Sequence, residues 1–577
     1  MTTVSIPEDG RRQFLSLGLR VVSGLAVPLA FNGCDRTEGN EHNETPVQTF
    51  IQPTLLESKD GLLDIELKVS YFDTELAGLD PLKKYPVSLR AYGYNGPDFF
   101  GPTLVVKGGD QLRIKLINNL PFNHPAAPND PLLYMKPNTT NLHTHGLHVF
   151  PGIYNDSNPR EYGDYVVDSN SGGVVPRGDS RQYVYNLPAN HPAGPFYYHP
   201  QFHGSSALQG ASLMQGAIMV RGPVDDLPEM SQATELIFLF QAPYFANGRT
   251  VDDHGVKSGS LEKFGQIANH PTGHGVNKNN KEYLDAQPVL INGVRRPTIL
   301  MGSGEVQRWR FINTQIFNCL NLNLDDHVLH QFTVDGWGTS AYQEFPDARK
   351  NGGRGIVLSA GNRSSVIVKA GEPGTYLLRT LPVKIAEDKQ AGSLPGDVLA
   401  KIIVVDDRKF LAQKVPDTPL PVSDFLKPIS DEELAGCGGR KRSIVLNMKG
   451  DVASQHSENS QSGSTENFQL QPSNSIIQYV PRGSVEEWTL FNFNSIRHPF
   501  HIHVNPMYVT QVNGIPIDPY WCDTVTLPAG GTQEMPTSVT FRMRFDDFSG
   551  PYIMHSQMLQ HSDLGMVFRV TVLPTQG

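Results

Sequence analysis

The chain has 577 residues, of which 38% are hydrophobic and 18% are charged, and its formal net charge at pH 7 is -10. This length exceeds what a single hydrophobic core supports, so we expect several domains. The negative charge argues against a nucleic-acid partner, and the 54 glycines and 44 prolines indicate many turns between short strands.

The N-terminal segment, residues 1–34, is predicted to be a signal peptide of the twin-arginine type. Arg11 and Arg12 precede a weakly apolar stretch that Arg20 interrupts. This stretch is too short and too charged for a stable membrane span. We therefore expect export to the periplasm. Cys34 is either a lipidated cysteine that attaches the protein to the membrane or an unmodified residue, and both interpretations stay open.

One pattern occurs three times after a polar linker at residues 35–54. It starts at Gly109, Gly304 and Gly483, and each copy joins a turn glycine to alternating polarity and a terminal Asn nine positions later. This pattern is typical of a half-buried strand entered through a tight turn. It predicts three all-β domains, at residues 55–225, 230–407 and 440–577.

Two further segments have the composition of connections. Residues 408–439 are rich in Pro and Asp and are predicted to link the second domain to the third. Residues 451–468 are polar and are predicted to be a mobile loop.

Four short segments concentrate histidine, two in the first domain and two in the third. They read NLHTHGLHV, FYYHPQFHGSS, RHPFHIHVNPM and YIMHSQMLQHSDLGMV. Alternate side chains of a strand share a face, so each segment aims two side chains the same way. The pairs are His143 with His145, His199 with Gln201, His501 with His503, and His555 with Gln557. One pair alone is more often a surface or core feature, but four pairs predict a metal site.

With these segments, and with GPTLVVKGGDQLRIKLINNLP, HPFHIHV and PYWCDTVTLPAGG, the chain resembles the three-domain, laccase-like multicopper oxidases. The resemblance implies three cupredoxin-like Greek-key β-sandwich domains, copper as cofactor and oxidoreductase chemistry with O2 as acceptor. In that family a type 1 copper takes electrons from a small-molecule or metal-ion reductant. A cysteine flanked by two histidines then passes them to a trinuclear cluster of one type 2 and two type 3 coppers.

The resemblance also implies which positions hold each copper. Carried over by position, the ligands are His143 and His501 for type 2; His145, His199 and position 557 for one type 3 copper; His503, His555 and position 201 for the other; and His498, His561, axial Met566 and position 556 for type 1.

Three of these positions depart from the family pattern. Ser556 stands where the type 1 cysteine is expected, and its hydroxyl supplies neither the thiolate ligand nor the electron path. Gln201 and Gln557 stand where one histidine of each type 3 copper is expected, and an amide oxygen is a harder and weaker donor than imidazole. We therefore expect copper at reduced stoichiometry, with laccase-type activity lost or reduced.

Other residues near these motifs have two interpretations. Asp156 is a proton-relay acid or, more simply, a turn-forming residue. His148 and His203 are expected to be supporting residues, and Met554 and Met558 to pack beside the site or touch Cu(I). Cys522 is not expected among the ligands.

Three functional hypotheses follow. The first is a copper-binding relative of the oxidases with impaired turnover, and the second is a metal-free scaffold of the same fold. The third is an oxidoreductase with a remodelled cluster, in which the weak glutamine positions admit water or substrate. The sequence predicts neither a substrate nor an oligomeric state.

Overall fold

The computed structural model describes most of the chain beyond residue 47. The described residues are 48–77, 84–121, 136–152, 163–167, 173–242, 289–384, 393–394, 396–410, 413–449, 452–459, 477–532, 534–563 and 565–574. The chain divides into two compact units, Met1–Pro46 and Val47–Gly577, and all the described residues belong to the second. The predicted signal peptide, Cys34 and Asp156 lie outside the described residues.

Strands dominate the described residues and form three pairs of sheets. The first pair has a sheet of order β1-β4-β9-β8-β6 and one of order β3-β2-β5-β7. Its strands are β1 (Leu55–Glu57), β2 (Leu62–Ala77), β3 (Lys84–Gly93), β4 (Thr103–Lys107), β5 (Gln111–Asn118), β6 (His143–His145), β7 (Ser180–Asn186), β8 (Gly194–His199) and β9 (Gly216–Arg221).

The second pair has orders β11-β10-β13-β18-β15-β16 and β12-β22-β19-β14-β17, with a small β20-β21 ribbon beside it. Its strands are β10 (Thr234–Gln241), β11 (Leu290–Ile291), β12 (Thr298–Gly302), β13 (Val306–Asn313), β14 (Leu320–Leu324), β15 (Val328–Val334), β16 (Trp337–Pro346), β17 (Ile356–Leu358), β18 (Arg363–Lys369), β19 (Gly374–Thr380), β20 (Val383–Lys384), β21 (Ser393–Leu394) and β22 (Asp397–Val405).

The third pair has orders β24-β23-β26-β31-β28-β29 and β25-β33-β32-β27-β30. Its strands are β23 (Lys441–Lys449), β24 (Val452–Asn459), β25 (Ile477–Pro481), β26 (Val485–Asn492), β27 (His498–Ile502), β28 (Met507–Val512), β29 (Ile515–Cys522), β30 (Thr524–Leu527), β31 (Thr537–Arg544), β32 (Gly550–Ser556) and β33 (Val567–Leu573).

Helices are few and short in the described part of the chain. They are α1 (Ser206–Ala211), α2 (Pro228–Gln232), α3 (Asp431–Gly436) and α4 (Leu559–Asp563), with 3-10 turns at Arg408–Phe410 and Asp424–Leu426. None of the described helices is long and apolar enough to cross a membrane.

The threefold sequence repeat corresponds to one equivalent strand in each sandwich: β5, β13 and β26. Each lies between one parallel and one antiparallel neighbour. The glycine before each strand has a positive φ, between 77° and 90°, which a residue without a Cβ adopts at little cost. The terminal Asn donates two side-chain hydrogen bonds to backbone carbonyls of following loops. The repeat therefore encodes a turn, a strand and a loop anchor.

Each sandwich has its own apolar core between its two sheets. The alternation in β5 leaves Leu112, Ile114 and Leu116 fully buried and the residues between them half-buried, as a strand with one core-facing side requires. The described strands lie within the three predicted domain ranges, whose exact boundaries stay predictions.

Segments expected to be connections are partly structured. The prediction of a loop at residues 451–468 is wrong for Val452–Asn459, which form β24 and pair antiparallel with β23. At the predicted linker of residues 35–54, Thr49 forms a parallel bridge with Thr298. Polar composition did not reveal these pairings because strand partners distant in sequence supply the backbone hydrogen bonds.

The predicted linker of residues 408–439 is packed against the sandwiches. Leu426, Ile429 and Leu434 join the core of the first sandwich, and the Leu426 carbonyl accepts a hydrogen bond from Trp521 Nε1 at 3.0 Å. Ser423 Oγ donates to the Asn190 carbonyl. This segment therefore fastens the third sandwich to the first.

Candidate metal centre

Six histidines from two sandwiches meet in one buried cluster. β6 and β8 carry three of them in the first sandwich, with His143 opposite His199 in register. β27 and β32 carry the others in the third, with His501 opposite His555, and His503 follows directly after β27. None of the six side chains is more than 2% exposed. The cluster members are His143, His145, His199, His501, His503 and His555.

The six imidazoles form three close pairs through their ring nitrogens. His143 Nε2 lies 3.3 Å from His501 Nε2, and His145 Nδ1 lies 3.3 Å from His199 Nε2. His503 Nε2 lies 3.1 Å from His555 Nε2. The rings of His143 and His503 stack at a centroid distance of 3.7 Å, and those of His145 and His501 stack at 3.6 Å. The three pairs thus form one continuous assembly.

The other ring nitrogen of each histidine faces a hydrogen-bond acceptor. His143 and His503 donate through Nδ1 to Asp164, at 2.7 and 3.1 Å. His501 Nδ1 donates to the Asp523 carbonyl, and His145 Nε2 lies 3.3 Å from the Asp523 carboxylate. The remaining two, His199 and His555, donate to backbone carbonyls of the following residues.

These acceptors fix the tautomers, so the paired inner nitrogens carry lone pairs rather than protons. Two lone pairs about 3 Å apart repel each other unless a cation lies between them. Two nitrogens bonded at ~2.0–2.1 Å to one tetrahedral ion are separated by about 3.3 Å, which matches the observed pairs. The donor set therefore fits metal ions.

Three sets of donor atoms in the cluster come within 4.8 Å of one another and could hold an ion. They are His143 with His145 and His501; His501 with His503 and His555; and His143 with Asp164 and His503.

The protonation preference of the cluster agrees with metal binding. Burial lowers the pKa of His199 to about 3 and that of His503 to about 4. Burial likewise holds the pKa values of His143, His145 and His555 well below their usual range. The imidazoles are therefore neutral near pH 7, the form that a metal ligand requires.

Asp164 and Asp523 are site residues that the sequence analysis did not identify. Asp164 receives hydrogen bonds from a histidine of each sandwich, His143 and His503. Asp523 lies in the PYWCDTVTLPAGG segment, and it contacts His145 and His501. A carboxylate inside an apolar strand such as YWCDTV was the available signal, because buried carboxylates need partners. Acceptors of this kind orient the ligands of metal sites.

The second sandwich reaches the cluster through a buried arginine. Arg363 donates from both terminal nitrogens to the Asp523 carboxylate at 2.6 Å each, and Trp337 Nε1 donates to the same group at 3.0 Å. Burial raises the pKa of Asp523, but the Arg363 charge and hydrogen bonds more than offset this and hold it well below its usual range. Asp523 is thus kept ionised beside His145 and His501.

Both predicted glutamine departures lie at this centre. Gln201 and Gln557 are at most 1% exposed. Gln557 Nε2 donates to the Tyr197 hydroxyl at 3.1 Å, and Gln201 Nε2 donates to Ser562 Oγ at 3.2 Å. The amide oxygen of each glutamine has no hydrogen-bond partner.

Next to the cluster, Ser556 lies among the three side chains predicted for the type 1 copper. His498 Nε2 is 2.8 Å from Ser556 Oγ, and the His498 and His561 rings are 5.2 Å apart. Met566 is fully buried, and its carbonyl accepts a hydrogen bond from the Ser556 N–H. The structure thus brings His498, His561, Met566 and Ser556 together.

The remaining predicted residues have supporting contacts. His148 bonds the Val504 carbonyl and Asp547 and touches no cluster histidine in its hydrogen bonds. Met554 and Met558 are buried among apolar side chains. Cys522 is buried at the end of β29, where burial holds its thiol pKa well above its usual range.

The fold and the cluster agree with what comparison with known proteins shows. The family description "Multicopper oxidase" matches residues 441–576 and 250–394. The multicopper oxidase mco of Staphylococcus epidermidis is 22% identical over 493 residues, which is 83% of each chain. This chain belongs to the multicopper oxidase family.

Solved structures show the same fold. The Campylobacter jejuni multicopper oxidase, described as a metallo-oxidase, aligns with a TM-score of 0.62 at 17% identity over 92% of this chain and 97% of its own. A multicopper oxidase from Pediococcus acidilactici aligns with a TM-score of 0.63 at 17% identity over 95% and 94%. The predicted all-β fold of three cupredoxin-like sandwiches is confirmed. As a multicopper oxidase, the chain has copper as its expected cofactor, and the buried histidines could hold it.

Proposed function

We propose that this multicopper oxidase relative binds copper at the six-histidine cluster but lacks the electron-entry copper, so that laccase-type turnover is absent or strongly reduced. The observation that carries the proposal is Ser556, buried at 2.8 Å from His498 Nε2. In the family pattern a cysteine thiolate at this position both binds the type 1 copper and connects it to the cluster.

A serine hydroxyl cannot take over either role. It stays protonated near neutral pH, so it offers no anionic, covalent ligand to a soft metal. Here Ser556 Oγ also lies 3.2 Å from the Met558 N–H, which donates to it. Of the three described cysteines, Cys319 bonds the Leu320 carbonyl and Ser359, and Cys522 is a buried, protonated thiol. Neither contacts His498 in these bonds.

The matched variant S556C tests this proposal. Purified wild-type protein and S556C are loaded with copper under the same conditions, and copper content and visible absorption are measured. We expect wild type to retain copper without the intense blue colour of a copper–thiolate bond, and S556C to become blue. A blue wild-type protein would contradict the proposal, as would wild-type protein that retains no copper.

The metal-free scaffold hypothesis is disfavoured by the facing lone pairs of the three histidine pairs. Retention of such pairs without a cation costs free energy that a scaffold could avoid by replacing either histidine. The hypothesis of a remodelled oxidoreductase differs from our proposal by turnover. Steady O2 consumption by copper-loaded wild type with phenols, Cu(I) or Fe(II) would favour it.

We also propose that the protein is exported to the periplasm, on the basis of Arg11 and Arg12 ahead of the apolar stretch. The double variant R11K/R12K should accumulate in the cytoplasm, while wild type fractionates with the periplasm or, if Cys34 is lipidated, with membranes. The variant C34A separates these two outcomes. Equal export of wild type and R11K/R12K would contradict the assignment of this signal.

A further inference from the structure

The site around Gln557 differs chemically from the site that three histidines would make. Gln557 stands beside the His145–His199 pair. A Cβ placed on Gly361, where φ is +81°, would lie 2.7 Å from Gln557 Cγ and 3.0 Å from His145 Cε1. Only a glycine leaves room for both side chains at this point, so Gln557 and His145 share one confined space.

Tyr197 holds the amide of Gln557 in a fixed orientation. Its ring stacks on His145 at a centroid distance of 4.5 Å and on His199 at 4.9 Å. Its hydroxyl accepts the hydrogen bond from Gln557 Nε2 at 3.1 Å. Tyr197 is 1% exposed. The residue therefore ties both histidines and the glutamine together from one side.

The Gln557 carbonyl oxygen is left buried with no hydrogen-bond partner. A buried polar atom without a partner costs about 1–3 kcal/mol, and native proteins rarely accept this cost without a ligand or ion. The same holds for Gln201, whose Nε2 is also bonded to a hydroxyl while its oxygen has no partner. A cation at the histidine pair would give this oxygen a partner.

The His145–His199 pair has the spacing of a bent rather than a linear complex. A linear two-coordinate Cu(I) would hold its two nitrogens about 4 Å apart, twice the ~2.0 Å bond, whereas the observed separation is 3.3 Å. A third ligand is therefore required, and the available donor is a hard, neutral oxygen. Such oxygens suit divalent ions better than Cu(I), which prefers sulfur and imidazole.

We propose that His145, His199 and Gln557 form a two-nitrogen, one-oxygen site for a divalent cation of the Zn(II) or Cu(II) class that discriminates against Cu(I), with Tyr197 as a positioning residue. This inference rests on the proposed function, since it requires a cluster that binds metal. It also adds to it: an ion held at this site in the divalent state is difficult to reduce, which is a second obstacle to turnover.

The test compares Zn²⁺ and Cu(I) affinities in separate anaerobic titrations of metal-free full-length protein against chromophoric chelators. In Q557M a thioether of similar length replaces the amide, so the ratio of Zn²⁺ to Cu(I) affinity should fall at least ~10-fold. The Y197F variant keeps the stacked ring but frees the amide, and it should lose part of the Zn²⁺ affinity with its melting temperature retained. Zinc-edge X-ray absorption should show one more imidazole per ion in Q557H than in wild type if zinc occupies this site.

Q331M is the matched control. Gln331 is a buried glutamine of β15 whose Nε2 donates to Ser364 Oγ at 2.8 Å, and its replacement should leave the affinity ratio unchanged. Wild-type protein that binds metal with the same ratio in Q557M would overturn this inference alone. A blue wild-type protein would overturn only the proposed loss of the electron-entry copper. Wild-type protein that binds neither ion would overturn both.

Discussion

At the scale of single residues, the cluster depends on the carboxylates behind the imidazoles as much as on the imidazoles. Asp164 accepts hydrogen bonds from His143 and His503, so one side chain sets the tautomer of a histidine in each of two sandwiches. Burial raises the pKa of Asp164, but His143 and His503 more than offset this and hold it well below its usual range. It is therefore an ionised acceptor at neutral pH.

Replacing Asp164 by Asn should weaken metal binding without removing any ligand. An amide can present its NH2 group to the His143 nitrogen and favour the wrong tautomer. Loss of such an outer partner typically lowers metal affinity about 10–100-fold. Competition titration of D164N against wild type measures the effect. The control is D179N, because Asp179 caps only the N–H of Ser180 in an exposed turn; unchanged affinity in D164N would show that Asp164 does not orient the ligands.

At the scale of elements, the repeated strand is completed by its terminal asparagine. Asn313 ends β13, is fully buried, and donates to the carbonyls of Asn318 and Leu358. Asn118 and Asn492 do the same after β5 and β26. A side chain with two N–H donors and one acceptor is needed to bond two loops and a turn at once, and asparagine is the shortest that has them.

The variant N313A should therefore destabilise the second sandwich strongly for a single small truncation. It leaves two buried carbonyls unpaired, and each costs about 1–3 kcal/mol. We expect a loss of about 2–4 kcal/mol, measured as a fall in the melting temperature. N362A, which removes bonds from the neighbouring turn to Asp335 and the Thr524 carbonyl, is a comparison of similar size. A melting temperature equal to that of wild type would contradict the anchoring role of Asn313.

A buried group of charges joins β9 of the first sandwich to β10 and β13 of the second. Glu235 accepts hydrogen bonds from Arg221 at 2.5 and 2.8 Å and from Arg310 at 2.8 Å. Asp225 accepts from Arg308 at 2.7 Å and from Arg310 at 3.0 Å. Burial raises the pKa of Glu235, but the charges of Arg310 and Arg221 more than offset this and hold it well below its usual range.

This depressed pKa predicts a specific pH dependence of stability. A carboxylate whose folded pKa lies below its unfolded value of about 4.3 stabilises the protein above that pH and loses the contribution as pH falls toward the folded pKa. E235Q should be less stable than wild type by about 3 kcal/mol at pH 7, and the difference should shrink below about pH 4. Melting temperatures at both pH values measure it. E66Q, at an exposed pair with Lys115, should change little; a constant difference across pH would contradict the assignment.

At the scale of the whole molecule, the metal centre is a joint between the first and third sandwiches. His143, His145 and His199 belong to one sandwich, and His501, His503 and His555 to the other. Arg363 of the second sandwich bonds Asp523 of the third and so braces the cluster from outside. An ion at the joint would bind both sandwiches at once.

Metal should therefore stabilise the protein as a whole. A ligand that binds only the folded state at 100 times its dissociation constant adds about 2.7 kcal/mol, so metal-free protein should melt at a lower temperature than loaded protein. Scanning calorimetry before and after chelation, with re-addition of Zn²⁺ or Cu²⁺, measures the difference. Equal melting temperatures would indicate that the cluster does not bind metal across the joint.

The sequence predicted the fold class and the positions at the centre through patterns that are local. Gly109, Gly304 and Gly483 identified the equivalent strands because a positive φ and alternating burial are recorded in neighbouring residues. The alternation in His143–His145 and His501–His503 identified which side chains share a face. The expectation of a loop at residues 451–468 failed for the opposite reason, since the pairing of β24 with β23 is not local.

What the sequence alone determined is the identity of the donors: six histidines, two glutamines and a serine, and with them the family and the missing thiol group. Only the tertiary structure decided which donors face each other and what stands behind them. The closest imidazole pair across sandwiches, His143 and His501, is 358 positions apart, and Asp164 lies 339 positions from His503. The tautomers and the unpartnered amide oxygens depend on packing between sandwiches, because a hydrogen bond depends on distance and direction in space rather than on order along the chain.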